Sequence, residues 1–231
     1  MTMTTGSDLS SIIRMFHVHK RYGSKHVLMD ISLDIAKNEL FFISGPSGAG
    51  KSTLLKLLYL GEPTSEGQIL VDGINLSRIS RKRIPFLRRK FGIIFQNYQL
   101  IPTKTVFENI ALVLEASGET NNRLIRKKVT TLLRIIGMED RHYAYPPYLS
   151  GGEQQKVAVA RAVAGNPQII LADEPTGSLD CESADMIMDL LHRFHMRGAT
   201  VIISTHDKGL IRKTGGREIQ LNNGCIQHMN F

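Results

Sequence analysis

The sequence predicts an α/β fold built on a mainly parallel sheet. Three short runs, at residues 40–43, 169–172 and 200–203, are apolar at almost every position and end at small or polar residues. Strands of this kind are typical of parallel sheets that are buried on both faces. Helical patterns follow the first run, at residues 54–58, and precede the third, at residues 186–194. This alternation is typical of folds with ligand-binding loops at the carboxyl ends of the strands.

A small antiparallel sheet is predicted near the start of the chain. Residues 12–18, 27–35 and 68–76 alternate between apolar and polar side chains, as strands with one buried face do. The preceding residues 1–11 are polar and predict a loose tail. We therefore expect one domain over residues 12–231.

A mainly helical subdomain is predicted over residues 96–164. Apolar side chains recur at helical spacing over residues 106–116 and 124–136. The second segment carries basic residues on its predicted outer face, and these are Arg123, Arg126, Lys127, Lys128 and Arg134. The subdomain is expected as an insertion before the strand at residues 169–172.

The composition is that of a globular chain with one substantial core, since 42% of the 231 residues are hydrophobic and 22% are charged. No run reaches the roughly 18–20 uninterrupted apolar residues of a membrane helix, and residues 1–11 lack the apolar core of a secretory signal. We expect a cytosolic chain, with Cys181 and Cys225 reduced and outside any metal-ligand spacing. The net charge of +8 favours anionic partners, which include nucleic acid, an anionic membrane face and nucleotides.

The residues between the first strand and its helix match the phosphate-binding pattern G-x-x-x-x-G-K-[ST] in full. They are Gly45, Pro46, Ser47, Gly48, Ala49, Gly50, Lys51 and Ser52, followed by Thr53. Glycines let backbone N–H groups surround phosphates, and the helix N-terminus adds a favourable dipole. Lys51 is expected to reach the β- and γ-phosphates, and the Ser52 hydroxyl to coordinate Mg²⁺. The pattern predicts a phosphate-loop NTPase fold.

Two adjacent carboxylates end the strand at residues 169–172. Asp173 and Glu174 stand at the mouth of a buried strand, where charge is costly unless it acts on a cation or a water. Asp173 is expected to hold Mg²⁺ through its water shell, and Glu174 to polarise the attacking water. A positioned general base contributes about 10²–10⁴-fold to a rate, so the loss of Glu174 should stop turnover and spare binding.

A second anion site is predicted 99 residues after Lys51, at the start of another helix. Ser150 and Glu153 form the S-x-x-E pattern of a capping box. Gly151 and Gly152, in the first turn, leave backbone N–H groups uncovered. Taken alone, the same pattern is equally typical of an ordinary capped helix.

The order of these motifs resembles that of the ATP-binding cassette (ABC) family over essentially the whole chain after residue 11. The motifs are GPSGAGKS, Gln96, LSGGEQQ, LADEPTGSLD and Thr205-His206-Asp207. The resemblance implies an ABC nucleotide-binding domain whose ATP hydrolysis does conformational work on a membrane partner. Because the chain has one phosphate loop, the resemblance also implies a homodimer. In such a homodimer, the helix after Ser150 of one subunit is implied to cap the γ-phosphate held by the phosphate loop of the other subunit.

The resemblance assigns further roles by position. Gln96 is implied to sense Mg²⁺ and the attacking water, and His206 to contact the γ-phosphate. Asp180 is implied to cross the dimer interface, and Tyr22 to stack on adenine.

Residues 84–96 closely resemble the corresponding run in the bacterial cell-division branch of the ABC family. That branch implies an integral membrane partner, received in a groove between Asn97 and Pro102, and a peripheral position on the cytoplasmic side of the inner membrane. Cassettes of lipoprotein-release and macrolide-efflux exporters share these motifs, so an exporter subunit is the alternative. The candidate partner contacts are Tyr98, Leu100 and Ile101. The alternative for these three residues is a role as ordinary core side chains.

Two basic triplets, Arg81-Lys82-Arg83 and Arg88-Arg89-Lys90, place six positive charges within ten residues. Near an anionic membrane each could contribute about 1 kcal/mol, and a merely solvated surface explains the triplets equally well. A nucleic-acid role is disfavoured, because the sequence contains no recognisable aromatic-interleaved basic groove or DNA-binding motif.

Overall fold

The computed structural model describes residues 11–177 and 179–230. The strands are β1 (Ser11–Tyr22), β2 (Lys25–Ala36), β3 (Leu40–Ser44), β4 (Glu66–Val71), β5 (Ile74–Asn75), β6 (Phe91–Ile94), β7 (Ile169–Asp173), β8 (Thr200–Thr205), β9 (Arg217–Asn222) and β10 (Cys225–Asn230). The α-helices are α1 (Lys51–Leu58), α2 (Ile84–Arg88), α3 (Val106–Ala116), α4 (Asn122–Ile135), α5 (Gly151–Val163), α6 (Cys181–Met196) and α7 (Lys208–Thr214). The expected polar tail lies outside the described residues except for Ser11, which opens β1 and so belongs to the first strand.

The central sheet is mainly parallel, which confirms the predicted fold class. Its order is β10-β9-β3-β8-β7-β6, and every neighbouring pair is parallel except the β9–β10 hairpin. The three strands predicted from apolar runs are the adjacent central strands β3, β8 and β7. Because their carboxyl ends meet at one edge of the sheet, the loops that follow them converge.

Both faces of the central sheet are covered, which explains why its strands do not alternate between apolar and polar residues. On β3, Phe42 packs into one apolar cluster with α3, α4, α5 and α6. Its neighbours Phe41 and Ile43 pack into a second cluster with α1 and the antiparallel sheet. Phe41, Phe42 and Ile43 are therefore all fully buried.

The antiparallel sheet near the start of the chain also forms as predicted, in the order β2-β1-β4-β5. On β2 the buried residues Ile31, Leu33 and Ile35 alternate with the exposed Ser32 and Asp34, so one face meets the core and the other meets solvent. This sheet packs over α1, the helix that follows the phosphate loop.

Residues 96–164, where the sequence predicts a helical subdomain, contain the helices α3, α4 and α5. A capping box between Thr105 and Glu108 begins α3, and the Asn121 side chain caps α4. The five basic residues predicted to lie on the outer face of α4 are all exposed. Among the described residues, no helix has the length and apolar character that crossing a bilayer requires.

Candidate nucleotide-binding and hydrolysis site

The phosphate loop joins β3 to α1 in a backbone shape that requires glycine. Gly45 has a φ of +142°, and a Cβ there would lie 2.1 Å from the carbonyl oxygen of Leu221. Gly50 has a φ of +105°, and a Cβ there would lie 2.9 Å from the carbonyl oxygen of Val27. Gly50 is the N-cap of α1 and provides no side-chain cap. The first amides of α1 are therefore open to an anion.

The ammonium group of Lys51 is held inside this loop. Lys51 is only 7% exposed, and its Nζ donates to the carbonyl oxygens of Gly45 at 2.8 Å and Pro46 at 3.2 Å. The same Nζ lies 3.5 Å from Oε1 of Glu174. A buried cation needs such partners, and they fix the charge beside the open amides of α1.

Glu174 connects the ends of two central strands. It follows β7 with a left-handed φ of +49°, and its N–H donates to the carbonyl oxygen of Ser204 at 3.0 Å. Its carboxylate is 12% exposed and lies 3.0 Å from Nδ1 of His206 as well as near Lys51. Non-glycine residues in this backbone region cluster at functional sites. Three of the predicted catalytic residues, Lys51, Glu174 and His206, thus meet at one point.

A cleft of about 1080 Å³ surrounds this point. Eleven of the predicted site residues line it: Tyr22, Pro46, Ser47, Gly48, Gly50, Lys51, Ser52, Thr53, Gln96, Glu174 and His206. Asp173 lies behind the lining, half-buried, and its carboxylate accepts a hydrogen bond from the Ser204 hydroxyl. Gly45 and Ala49 contribute backbone to the loop without lining the cleft.

The cleft also contains residues that the sequence analysis missed. Lys25, His26 and Val27 come from the start of β2, and Asn223 from the turn between β9 and β10. Their positions depend on long-range pairing, because Gly224 donates its N–H to the carbonyl oxygen of Ala49 at 3.2 Å. Asn223-Gly224 is a typical hairpin dipeptide that could have indicated the turn, though not its place beside the phosphate loop.

Tyr22 lines the cleft and is 45% exposed. Its hydroxyl donates to Glu62, and the Nζ of Lys20 lies 4.8 Å from the ring centre. Burial and the Glu62 carboxylate raise the pKa of Tyr22, while the hydrogen bond from Tyr22 lowers the pKa of Glu62. These contacts fix the ring in place on one side, a condition for stacking against a planar base.

Helix α5 (Gly151–Val163), which we call the serine-glycine helix, lies away from this cleft. The predicted capping box is confirmed: Glu153 N–H donates to the Ser150 hydroxyl at 3.2 Å, and Ser150 N–H donates to Glu153 Oε2 at 2.8 Å. Gly151 is exposed and Gly152 is half-exposed. None of these four residues is among those that line the cleft in the described part of the chain. The helix therefore presents its N-terminus outward.

Asp180 is also outside the cleft. It caps α6, because its carboxylate accepts from the Ser183 N–H at 2.9 Å, and this bond lowers the pKa of Asp180.

Gln155 connects the serine-glycine helix to the loop after β7. Its Nε2 donates to the carbonyl oxygen of Pro175 at 2.9 Å, and Pro175 directly follows Glu174.

Arg161 of α5 is a further residue that the sequence analysis missed. Its Nη1 donates to the carbonyl oxygen of Gln99 at 2.6 Å, and its Nη2 to that of Tyr98 at 2.8 Å. Tyr98 and Gln99 both have left-handed φ values, of +57° and +48°. The buried Asn109 holds the next part of the segment, because its side chain bonds both the N–H and the carbonyl oxygen of Ile101.

The predicted partner contacts lie on this same segment. Tyr98, Leu100 and Ile101 are half-buried, and Leu100 packs against the helical cluster. Burial lowers the pKa of Arg161, the residue that fastens the segment to α5. The segment that follows Gln96 is thus fixed to the serine-glycine helix rather than loose.

The fold and the cleft together define a phosphate-loop ATPase domain. A family model described as ABC transporter matches residues 28–177, and the chain belongs to that family. The "Cell division ATP-binding protein FtsE" of Streptococcus pneumoniae strain D39 is 42% identical over 217 residues, which cover 94% of this chain and 94% of the relative. The "Methionine import ATP-binding protein MetN" of Vibrio vulnificus is 42% identical over 208 residues, which cover 89% of this chain but 59% of that relative.

The fold is also similar to that of a solved dimer. The structure is a post-hydrolysis state of the ATP-binding cassette MJ0796 bound to ADP and Pi. It matches with a TM-score of 0.89 and 35% identity, over 94% of this chain and 97% of that one. This likeness confirms the ABC cassette fold that the motif order implies.

Proposed function

We propose that this chain is the ATP-hydrolysing subunit of a membrane complex in bacterial cell division, an FtsE-like cassette that acts with an FtsX-like membrane protein. Its ATPase chemistry is supported best by one observation: the Glu174 carboxylate lies between Lys51 and His206 at the mouth of the phosphate loop. The cell-division role is supported by the likeness to FtsE, which extends over 94% of both chains. The equally identical MetN extends well beyond the matched region.

The residues present fit MgATP. The open amides of α1 and the Lys51 ammonium suit the β- and γ-phosphates. The Ser52 hydroxyl, the Gln96 amide and, through water, the Asp173 carboxylate are oxygen donors of the kind that Mg²⁺ prefers beside substrate phosphates. When bound, Mg²⁺ neutralises charge on the phosphate oxygens.

Hydrolysis uses the chain's own groups in a defined order. Lys51 turns from the loop carbonyl oxygens to the phosphates, which releases Glu174 from its 3.5 Å ion pair. Glu174 then accepts a hydrogen bond from the attacking water and takes its proton as the bond from the water oxygen to the γ-phosphorus forms. The bond from that phosphorus to the oxygen of ADP breaks, and ADP and phosphate leave. His206 holds the carboxylate in position through Nδ1 and contacts the γ-phosphate. Tyr22 stacks on the adenine.

A second copy of the chain completes each site. Ser150, Gly151, Gly152, Glu153 and Asp180 lie away from the cleft of their own chain, while the N-terminus of α5 faces outward with its glycines uncovered. In a head-to-tail homodimer this helix end caps the γ-phosphate held by the partner's phosphate loop. The MJ0796 cassette is a dimer bound to ADP and Pi, which supports a dimer as the working unit.

The membrane partner docks on the segment between Asn97 and Pro102, which places the chain peripherally on the cytoplasmic side of the inner membrane. Arg161 and Asn109 fix this segment, and Gln96 lies directly before it at the cleft. Movement of the partner is therefore passed to Gln96 and to the serine-glycine helix together.

Recovery of the partner tests this role. A tagged Glu174→Gln variant is expressed in its own host, and detergent-solubilised membranes are purified with ATP and analysed by mass spectrometry. We expect the Glu174→Gln preparation to contain an FtsX-like protein and division components. The matched control is Lys51→Ala, which should bind ATP poorly and should therefore recover less of these proteins. Recovery of a lipoprotein-release or macrolide-efflux permease would overturn the cell-division role and leave the ATPase chemistry standing.

A further inference from the structure

The segment between Asp72 and Glu108 has an unusual charge pattern. It contains no acidic residue and eight basic ones: Arg78, Arg81, Lys82, Arg83, Arg88, Arg89, Lys90 and Lys104. The nucleotide cleft uses none of these cations in the described structure. The concentration of seven of these cations before β6 therefore needs a separate explanation.

Two of the cations in the basic triplets have structural roles. The guanidinium of Arg88 donates to the carbonyl oxygens of Tyr59 at 3.2 Å and Leu60 at 2.7 Å. Lys90 forms an ion pair with Asp72. Arg88 therefore ties the end of α2 to the end of α1, and Lys90 ties the following residues to the end of β4. Leu87, which directly precedes Arg88, is buried.

The other four cations face solvent. Arg81, Lys82, Arg83 and Arg89 are exposed, and within residues 11–177 and 179–230 none of them has an acidic partner within salt-bridge distance. Phe86 lies among them with 62% of its surface exposed, and the Arg89 guanidinium lies 5.0 Å from its ring centre. We call these five residues the basic patch. The basic patch therefore combines an exposed aromatic ring with four exposed cations that have no acidic partner among the described residues, on a segment fixed by Arg88 and Lys90.

We propose that the basic patch binds the surface of an anionic phospholipid bilayer directly. Cations near such a surface are attracted to its headgroups, and an exposed aromatic ring can enter the boundary between headgroups and acyl chains. The four-residue strand β6 separates the basic patch from the segment proposed to receive the membrane partner. The role of that segment rests on the proposed function, whereas lipid binding by the patch does not. The patch adds a second membrane contact that needs no protein partner.

The test is co-sedimentation of the full chain with vesicles of phosphatidylcholine and phosphatidylglycerol. The triple variant R81E/K82E/R83E tests the basic patch. The control is R123E/R126E/K127E, which changes the net charge by the same amount but on the exposed face of α4. Each lost cation near the surface should cost about fivefold. We expect the patch variant to lower the partition coefficient by about 100-fold or more, and the α4 variant by less than about fivefold. Phe86→Ala should lower it by about tenfold, and this loss should persist at high salt, where charge attraction is screened.

Both triple variants should keep wild-type ATP hydrolysis without membranes, which separates failure of the patch from failure of the ATPase. Equal losses in the two triple variants would show that net charge alone drives binding, and would overturn the proposal. Equal binding to pure phosphatidylcholine vesicles would also overturn it. So would a patch variant that keeps its vesicle binding but loses affinity for a single-stranded oligonucleotide, since the patch would then be a nucleic-acid surface.

Discussion

Arg161→Met should uncouple ATP binding from hydrolysis. The substitution keeps an unbranched side chain but removes both hydrogen bonds to the segment after Gln96. Hydrogen bonds to charged groups contribute about 1.5–3 kcal/mol each. Gln99 is exposed, so its carbonyl oxygen can bond to water after the substitution, and the loss of that hydrogen bond should cost little. Tyr98 is half-buried, so the loss of its hydrogen bond should cost more. We therefore expect a net loss of about 2 kcal/mol, close to the value for a single bond to a charged group.

That loss acts on a segment with two consecutive left-handed residues, a conformation that persists only when its surroundings enforce it. A cost of about 2 kcal/mol lowers the population of the ordered segment by up to about 30-fold. We expect kcat to fall by up to that factor, because Gln96 directly precedes the segment. ATP affinity should change by less than about threefold, since Arg161 lies outside the cleft.

Steady-state ATPase kinetics, nucleotide titration and hydrogen exchange over residues 97–102 measure these effects. Arg161→Lys keeps the charge but not the two-pronged geometry of the guanidinium, so its kcat should be intermediate. Arg126→Met removes an exposed cation of α4 and should leave all three measurements unchanged. An Arg161→Met variant that keeps wild-type kcat, and whose amides after Gln96 exchange as slowly as before, would show that these two hydrogen bonds do not control turnover.

Three further predictions concern the interface, the phosphate loop and acid stability. Ser150→Arg should abolish turnover and leave ATP binding by the isolated monomer intact, as measured by nucleotide titration; weakened monomer binding would argue against a site shared between copies. In thermal unfolding, Gly48→Ala should cost about 1 kcal/mol of backbone strain, and Gly45→Ala should cost more because its Cβ would lie 2.1 Å from a backbone oxygen; equal losses would contradict this steric argument. The hydrogen bond from Lys90 holds the pKa of Asp72 below its ordinary 3.8, so this carboxylate stabilises the fold above that pH and the contribution is lost as the pH falls through the folded-state pKa. Asp72→Asn should therefore destabilise the fold by about 1 kcal/mol at neutral pH, and by progressively less in denaturant titrations as the pH falls below 3.8. A difference that stays constant on acidification would exclude the linkage.

The parts of the fold that the sequence predicts are those with a local signal. The strands β3, β7 and β8 are apolar throughout because they are covered on both faces, and the capping box at Ser150 lies within four residues. The phosphate loop is equally local, since its glycines, lysine and serine are consecutive. Their convergence at one sheet edge follows from parallel topology.

What the sequence does not predict depends on distant contacts. Arg161 is 62 residues from Gln99, and an arginine within a helical pattern gives no sign of the carbonyl oxygens that it meets. Asn223 reaches the cleft only because β9 pairs with β3. The basic triplets are a further example. The partners of Arg88 and Lys90 lie on other elements, so the sequence does not distinguish these two structural cations from the four that face solvent.

Two properties proposed for this chain, activation of water by Glu174 and a site shared by two copies, can be measured on one variant. The most direct measurement is light scattering of the purified Glu174→Gln variant with and without ATP, combined with its ATPase rate. We predict an ATP-dependent dimer that retains one nucleotide per chain, and a turnover about 10²–10⁴-fold below wild type. A variant that stays monomeric with bound ATP would contradict the shared site, and one that hydrolyses ATP at the wild-type rate would contradict the role of Glu174.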